Sequence, residues 1–171
     1  KDNIFVIDPD DTNSYIANKY GATFRKEAVT KENYRSILGN ILNAFNKRAY
    51  IINVANEVSS YDLAQFAADN NAHYIDTVVE PWPGFYFNLN STLIDQTNYA
   101  LREKLHELKP KLINTPTAIS CCGANPGMVS WFVKEALLNL ASDLGEVTEP
   151  PATKEGWAKL MQTLDVKGIH I

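Results

Sequence analysis

The stretch Ser120-Cys121-Cys122-Gly123-Ala124-Asn125-Pro126-Gly127-Met128-Val129-Ser130-Trp131 concentrates residue types that could do chemistry. An apolar run over residues 117–122 reads as a buried strand. It enters a Gly/Asn/Pro turn, and a strong amphipathic helix pattern follows at once. Asn125 and Pro126 read as an N-cap and a first helical residue. Asparagine accepts from the N–H groups a helix start leaves unpaired, and proline fixes φ where no donor is needed. Gly123 and Gly127 let the backbone approach a neighbour closely, because neither carries a Cβ. A strand end opening onto a helix N-terminus suits an anionic or polar ligand. Asn125 therefore has two open roles, helix cap or hydrogen-bonding positioner. Cys122 could be an activated thiolate there, but that needs a base. His73, His106 and His170 stand in no recognisable relation to it, so packing as a small apolar group is the simpler reading.

Three further clusters sit where strands should end. Asp8 closes the apolar run Ile4-Phe5-Val6-Ile7. An acid at that place holds ribose hydroxyls in dinucleotide folds; the alternative is that Asp8-Pro9 only starts a turn. Asn53 and Asn56-Glu57-Val58-Ser59-Ser60 form either a polar lip over a cofactor or a loop capped by its serines. Thr77 to Trp82 contains Glu80-Pro81-Trp82, where a carboxylate beside an indole would suit a cationic amine. The aromatic run Phe85-Tyr86-Phe87 fits a core or a subunit interface better than a ligand box. No Cys, His and acid spacing fits a metal site.

The elements that must position these residues alternate. Strand-like runs are expected at residues 4–7, 23–29, 49–54, 73–79 and 117–122, and again at 166–171. Helical patterns are expected at 12–20, at 31–46 behind Thr30, at 61–70 behind Ser59 or Ser60, and at 91–108. Two more are expected, after the turn at 123–127 and at 154–164 behind Thr153. Tyr34, Ile37, Leu38, Ile41, Leu42 and Phe45 form one core-facing stripe. Val129, Phe132, Val133, Ala136, Leu137, Leu140 and Leu144 form another. Strands alternating with helices imply βαβ units, hence a parallel sheet with helices on both faces. In such sheets ligands bind outside the C-terminal strand ends, where all four polar clusters fall.

The 171 residues carry 45% hydrophobic and 21% charged side chains and a net charge of -4. That composition is globular, and the acidic balance argues against nucleic acid as a main partner. No apolar run approaches the ~20 residues of a membrane span. Cys121 and Cys122 are neighbours pointing to opposite faces of a strand, which disfavours a disulfide between them. Reduced cysteines and a cytoplasmic location are the default reading. Strand-like segments near both ends suggest a piece of something longer, with the glycine-rich dinucleotide loop of a first βα unit absent.

Tyr74-Ile75-Asp76-Thr77-Val78-Val79-Glu80-Pro81-Trp82, Gly84-Phe85-Tyr86-Phe87, Asn98-Tyr99-Ala100-Leu101-Arg102-Glu103 and the stretch from Ala118 to Lys134 resemble the bacterial homospermidine synthases. So do Val6-Ile7-Asp8-Pro9 and Val166-Lys167-Gly168-Ile169-His170-Ile171. The resemblance implies a Rossmann-like α/β unit of the saccharopine dehydrogenase type, lacking its first βα unit. Residues 1–122 would belong to the NAD-binding domain and 123–171 would begin a catalytic domain. It implies an NAD-dependent transferase that makes homospermidine from two putrescine molecules and releases ammonia. A hydride leaves putrescine, an imine exchanges amines, and the hydride returns. Asp8 would bind the adenosine ribose. Asn53, Glu57, Ser59, Thr77, Glu80 and Pro81 would line the NAD crevice. Cys122, Gly123, Ala124 and Asn125 would lie near the nicotinamide and substrate. At Glu57 the resemblance leads one to expect a shorter Asp. Expected partners are diamines and polyamines and a second copy in a homodimer, with no nucleic acid, membrane or metal. The related alternative is a carboxynorspermidine- or saccharopine-type dehydrogenase with net NAD(P) turnover. The alternative of another class is a non-catalytic dinucleotide-binding module.

Overall fold

The computed structural model describes residues 3–45, 47–146 and 149–171. Among the described residues, five strands and six helices follow one another as β1 (Phe5–Asp8), α1 (Ser14–Lys19), β2 (Thr23–Lys26), α2 (Tyr34–Asn43), β3 (Tyr50–Asn53), α3 (Ser60–Asp69), β4 (His73–Asp76), α4 (Asn98–Glu107), β5 (Ala118–Ile119), α5 (Val129–Asp143) and α6 (Lys154–Thr163). Short 3₁₀ turns occupy Phe85–Phe87 and Lys109–Leu112. The chain divides into two compact units. One comprises Lys1–Ile75 with Val79–Ser120, the other Asp76–Val78 with Cys121–Ile171.

In the first unit the strands form two sheets. β1 pairs with β2 in parallel, Phe5 opposite Thr23 and Asp8 opposite Lys26. The second sheet has the order β3-β4-β5, with Tyr74 of β4 opposite Ala118 of β5 in parallel. Parallel pairing between strands joined by helices is the expected α/β organisation, and the unit is a Rossmann-like fragment. Its core gathers Tyr34, Ile51, Val58, Leu63, Phe66, Tyr74 and Leu108. Tyr34 meets Phe66 edge-on, with ring centroids 5.9 Å apart. Each large side chain so buried contributes about 1.5–3 kcal/mol. The second unit is built on α5 and α6, whose contact buries Leu137, Ala141, Leu160 and Leu164.

Local chemistry explains where the observed elements depart from expectation. Thr30 does not cap a helix over 31–46. The Asn33 side chain accepts from Thr30 N–H at 2.7 Å and donates to the Ala28 carbonyl at 2.9 Å. Those bonds close a turn, and α2 begins only at Tyr34; Asn46 lies outside the described residues. The long helix expected over 91–108 is likewise only α4. Thr92 and Asp95 bond each other's backbone and side chains in a turn, and the Thr97 hydroxyl then caps the helix by accepting from Ala100 N–H. Side chains that offer the backbone an alternative partner delay helices in this way.

The strand expected over 117–122 is shorter and more exposed than its composition suggests. β5 holds two exposed residues, and Cys121, at φ 62°, turns the chain away. Asn125 and Pro126 do not begin the following helix. Met128 is its N-cap, and the residues before it are used in a compact turn: Gly123 N–H donates to Pro126 O, Met128 N–H to Gly123 O and Val129 N–H to Ala124 O. Only part of the α5 stripe is buried. Leu137 of the stripe packs on α6, together with Ala141 from outside it, whereas Phe132, Leu140 and Leu144 are exposed. Residues 166–171 form no strand: a ladder needs a neighbour, and among the described residues none pairs with them. Ser59 and Thr153 do cap α3 and α6 as expected, their hydroxyls accepting from Asp62 and Gly156 N–H.

Candidate functional site

Asp8 ends β1 with its carboxylate exposed. One oxygen accepts from Asp10 N–H at 2.8 Å, an Asx turn that holds the side chain at the strand end. In the same loop the Thr12 hydroxyl and then its amide hold the Asp10 carboxyl below its ordinary pKa. Lys26, opposite Asp8 in the ladder, is paired with Asp11 at 3.0 Å. Asp8 thus presents an accepting carboxylate at the C-terminal end of a parallel strand.

The loop after β3 spends its polar side chains internally. Asn53 is buried; its amide donates to Val58 O at 3.2 Å and to the Tyr74 hydroxyl at 3.4 Å, while its oxygen accepts from Ala55 N–H. Ser59 is buried and consumed as the α3 cap. Ser60 locks the loop after β4 onto α3: its N–H donates to Glu80 O at 2.8 Å, and Glu80 N–H donates to its hydroxyl at 3.0 Å. Glu57 sits at φ 57°, and its N–H donates to a Glu80 carboxylate oxygen at 3.3 Å. These bonds join Glu57, Ser60 and Glu80 around one corner, with the capping Ser59 beside them.

That corner borders an open cavity of about 730 Å³, lined among others by Lys31, Ser59, Asp62, Glu80, Pro81 and Trp82. Pro81 is buried, so it shapes the wall by packing. The Trp82 indole N–H donates to Asp62 at 2.6 Å and its ring lies 5.5 Å from that of Tyr34. Burial, and then the Asp62 charge, push the Tyr34 phenol above its ordinary pKa. Tyr86 is pushed up by burial and by the negative charge of Glu80. Glu80 and Trp82 thus line one cavity, and the indole N–H is committed to Asp62. Sequence reading missed Lys31 and Asp62 on this wall. Asp62 in the first turn of α3 offers a faint signal, since acids favour helix starts.

In the second unit Thr77 and the turn 121–128 pack backbone to backbone. A Cβ on Gly123 would lie 2.5 Å from Thr77 O, and one on Gly127 would lie 2.2 Å from Gly123 O. Gly127 has φ 133°. Both glycines therefore serve an approach of the chain to itself. The side chains of Cys122 and Asn125 are exposed, as are Ala124 and Thr77. Neither cysteine is in a disulfide among the described residues. The residue that sequence reading missed is Asp76, buried at 1% exposure, whose Oδ1 accepts from Cys121 N–H at 2.7 Å. Its position two residues after buried Tyr74 was the available signal, because residues two apart on a strand share a face. Among the described residues, no three His, Cys, Asp or Glu side chains are grouped to hold a metal ion, and no helix is long and apolar enough to cross a membrane.

The model of the saccharopine dehydrogenase NADP-binding domain matches residues 1–119. The chain belongs to that family. It is also 49% identical to a homospermidine synthase of Blastochloris viridis over 98% of its own length and 35% of the relative's. It is 46% identical to one from Mesorhizobium japonicum over 100% of its length and 36% of the relative's. The chain thus spans about a third of the relatives it matches. Among solved structures it resembles the homospermidine synthase of Legionella pneumophila in complex with NAD. The TM-score is 0.71 at 32% identity, over 95% of this chain and 33% of that one.

Proposed function

We propose that the whole protein is a homospermidine synthase that binds NAD and acts on putrescine and related diamines. The observation that carries this reading is the likeness of the chain, at 46–49% identity over 98–100% of its length, to homospermidine synthases. The donor set agrees with the cofactor. Asp8 offers an exposed carboxylate at the end of β1. Such a group accepts from both hydroxyls of a ribose and repels a 2′-phosphate, which favours NAD over NADP.

In this reading Asp8 holds the adenosine ribose. Glu57, Thr77, Glu80 and Pro81 line the NAD crevice, and Asn53 and Ser59 complete it through the loop whose shape their side chains fix. Bound NAD supplies reversible hydride acceptance, so an amine can be oxidised and its adduct reduced with no net redox change. Cys122, Gly123, Ala124 and Asn125 face the nicotinamide and the amine. The Asn125 amide both donates and accepts, so it can orient an amine or imine nitrogen. Residues 1–122 are read as part of the NAD domain and 123–171 as the start of the catalytic domain. The enzyme is read as a cytoplasmic homodimer with no nucleic-acid or membrane partner.

The test is to incubate the purified whole protein with NAD and putrescine while following homospermidine and NADH. Homospermidine without NADH build-up is expected. About one NADH consumed or formed per product would make it an ordinary dehydrogenase of the carboxynorspermidine or saccharopine type. Retention of NAD without any amine turnover would leave a binding module. Asp8→Ala is expected to weaken NAD binding by about 1–3 kcal/mol, the scale of hydrogen bonds to a charged group, at unchanged melting temperature. Equal NAD affinity by calorimetry would remove the ribose assignment.

A further inference from the structure

We propose that Asp76 is a positioning residue whose carboxylate fixes the placement of the Cys122–Asn125 turn against whatever that turn serves. The activity arm of this proposal rests on the reading of that turn as part of the active site. Asp76 is 1% exposed, and burying a carboxylate is costly unless its oxygens are bonded. Its Oδ1 accepts from Cys121 N–H at 2.7 Å, across 45 positions of sequence. Its own carbonyl accepts from Cys122 N–H at 2.9 Å. One residue thus holds two consecutive amides at the entrance to the turn.

Those amides are where the backbone needs holding. Cys121 has φ 62°, a left-handed conformation that non-glycine residues adopt at a cost and keep only when the surroundings enforce it. A charge-assisted N–H to carboxylate bond is about twice as strong as a neutral one and supplies that enforcement. Immediately beyond it, Gly123 lies against Thr77 O so closely that no Cβ fits. The turn then closes on itself through Gly123 N–H to Pro126 O and Met128 N–H to Gly123 O. Cys122 and Asn125 are exposed on this closed frame. Their placement therefore follows from the Asp76 anchor, although Asp76 is itself too buried to touch a ligand.

Three variants of the whole protein test this. Asp76→Asn keeps an acceptor of the same reach, so kcat is expected to stay within about threefold of wild type. Asp76→Ala removes the acceptor and should lower kcat on the order of tenfold or more, while KM for putrescine changes less than about threefold and NAD is retained, because misplaced groups lose transition-state contacts first. Asp76→Ser, whose hydroxyl is too short to reach Cys121 N–H, should show the same loss of kcat and replaces the alanine variant if that one fails to fold. Loss in Asp76→Asn equal to that in Asp76→Ala, or normal kcat in a folded Ala or Ser variant, overturns the proposal. Hydrogen exchange gives a readout independent of the activity: amides of residues 121–125 should exchange severalfold faster in Asp76→Asn, with α5 unchanged, since a neutral acceptor binds more weakly. Unchanged exchange there overturns the anchor. Faster exchange in a protein that makes no homospermidine upholds the anchor and rejects only the proposed activity.

Discussion

The loops after β3 and after β5 look alike in sequence and work in opposite ways. Both leave a strand, carry an asparagine and short polar residues, and lead into a helix. In the loop 53–60 the side chains do the folding: Asn53 bridges Val58, Ala55 and Tyr74, and Ser59 caps α3. In the turn 121–128 the turn's own residues fold it through their backbone N–H and C=O groups and two glycines, with the buried Asp76 anchoring Cys121 N–H, and Cys122 and Asn125 are left exposed. A polar side chain already spent on its own loop has little left for a ligand. The turn held by its own backbone and by the buried Asp76 keeps Cys122 and Asn125 for other partners.

The contrast can be broken most severely at Gly127. Gly127→Ala places a Cβ 2.2 Å from Gly123 O at φ 133°, and the loss is expected to reach ~3 kcal/mol or more, read as a lower midpoint in urea. Asn53→Ala should come next. It strands a buried carbonyl and an amide, costing about 2–3 kcal/mol in stability, while the folded fraction keeps near-normal turnover. A stable Asn53→Ala variant with poor turnover would mean that Asn53 touches the ligand after all. Asn125→Ala should reverse that pattern. Because Met128 and not Asn125 is the helix N-cap, melting should hardly change, whereas kcat of the whole enzyme falls on the order of tenfold with NAD retained. The smallest effect is expected for Ser59→Ala, about 1 kcal/mol for a lost cap at unchanged kcat.

The same contrast shows why some of the molecule was legible in the sequence and some was not. Short apolar and β-rich runs located β1 to β4, and the three-and-four stripe located α2, because those patterns report burial against neighbours that are present. Ser59 and Thr153 were legible as caps because a hydroxyl ahead of a helix has one dominant use. Asn33, Thr92 and Asp95 were not, since each could equally serve a helix or divert it, and the diversion depends on backbone partners that sequence does not reveal. Asn125 was misplaced as a cap for a related reason: the turn before α5 is closed by backbone bonds that no side-chain pattern advertises. Asp76 was overlooked because a lone acid inside the strand expected at 73–79 advertises no partner, and here its partner lies 45 positions away.

The division of the strands between two sheets has a practical consequence. Among the described residues β1 pairs with β2 alone, and β3 stands at the edge of its sheet beside β4. Tyr50 and Ile52 of β3 are 73% and 68% exposed and Val54 just after it 71%, and Val6 of β1 and Ile4 just before it are exposed. Unpaired main-chain groups flanked by bare β-branched and aromatic side chains recruit further strands. A preparation of these 171 residues alone should therefore stick to itself as it is concentrated, and a lysine at position 52 should keep it in solution.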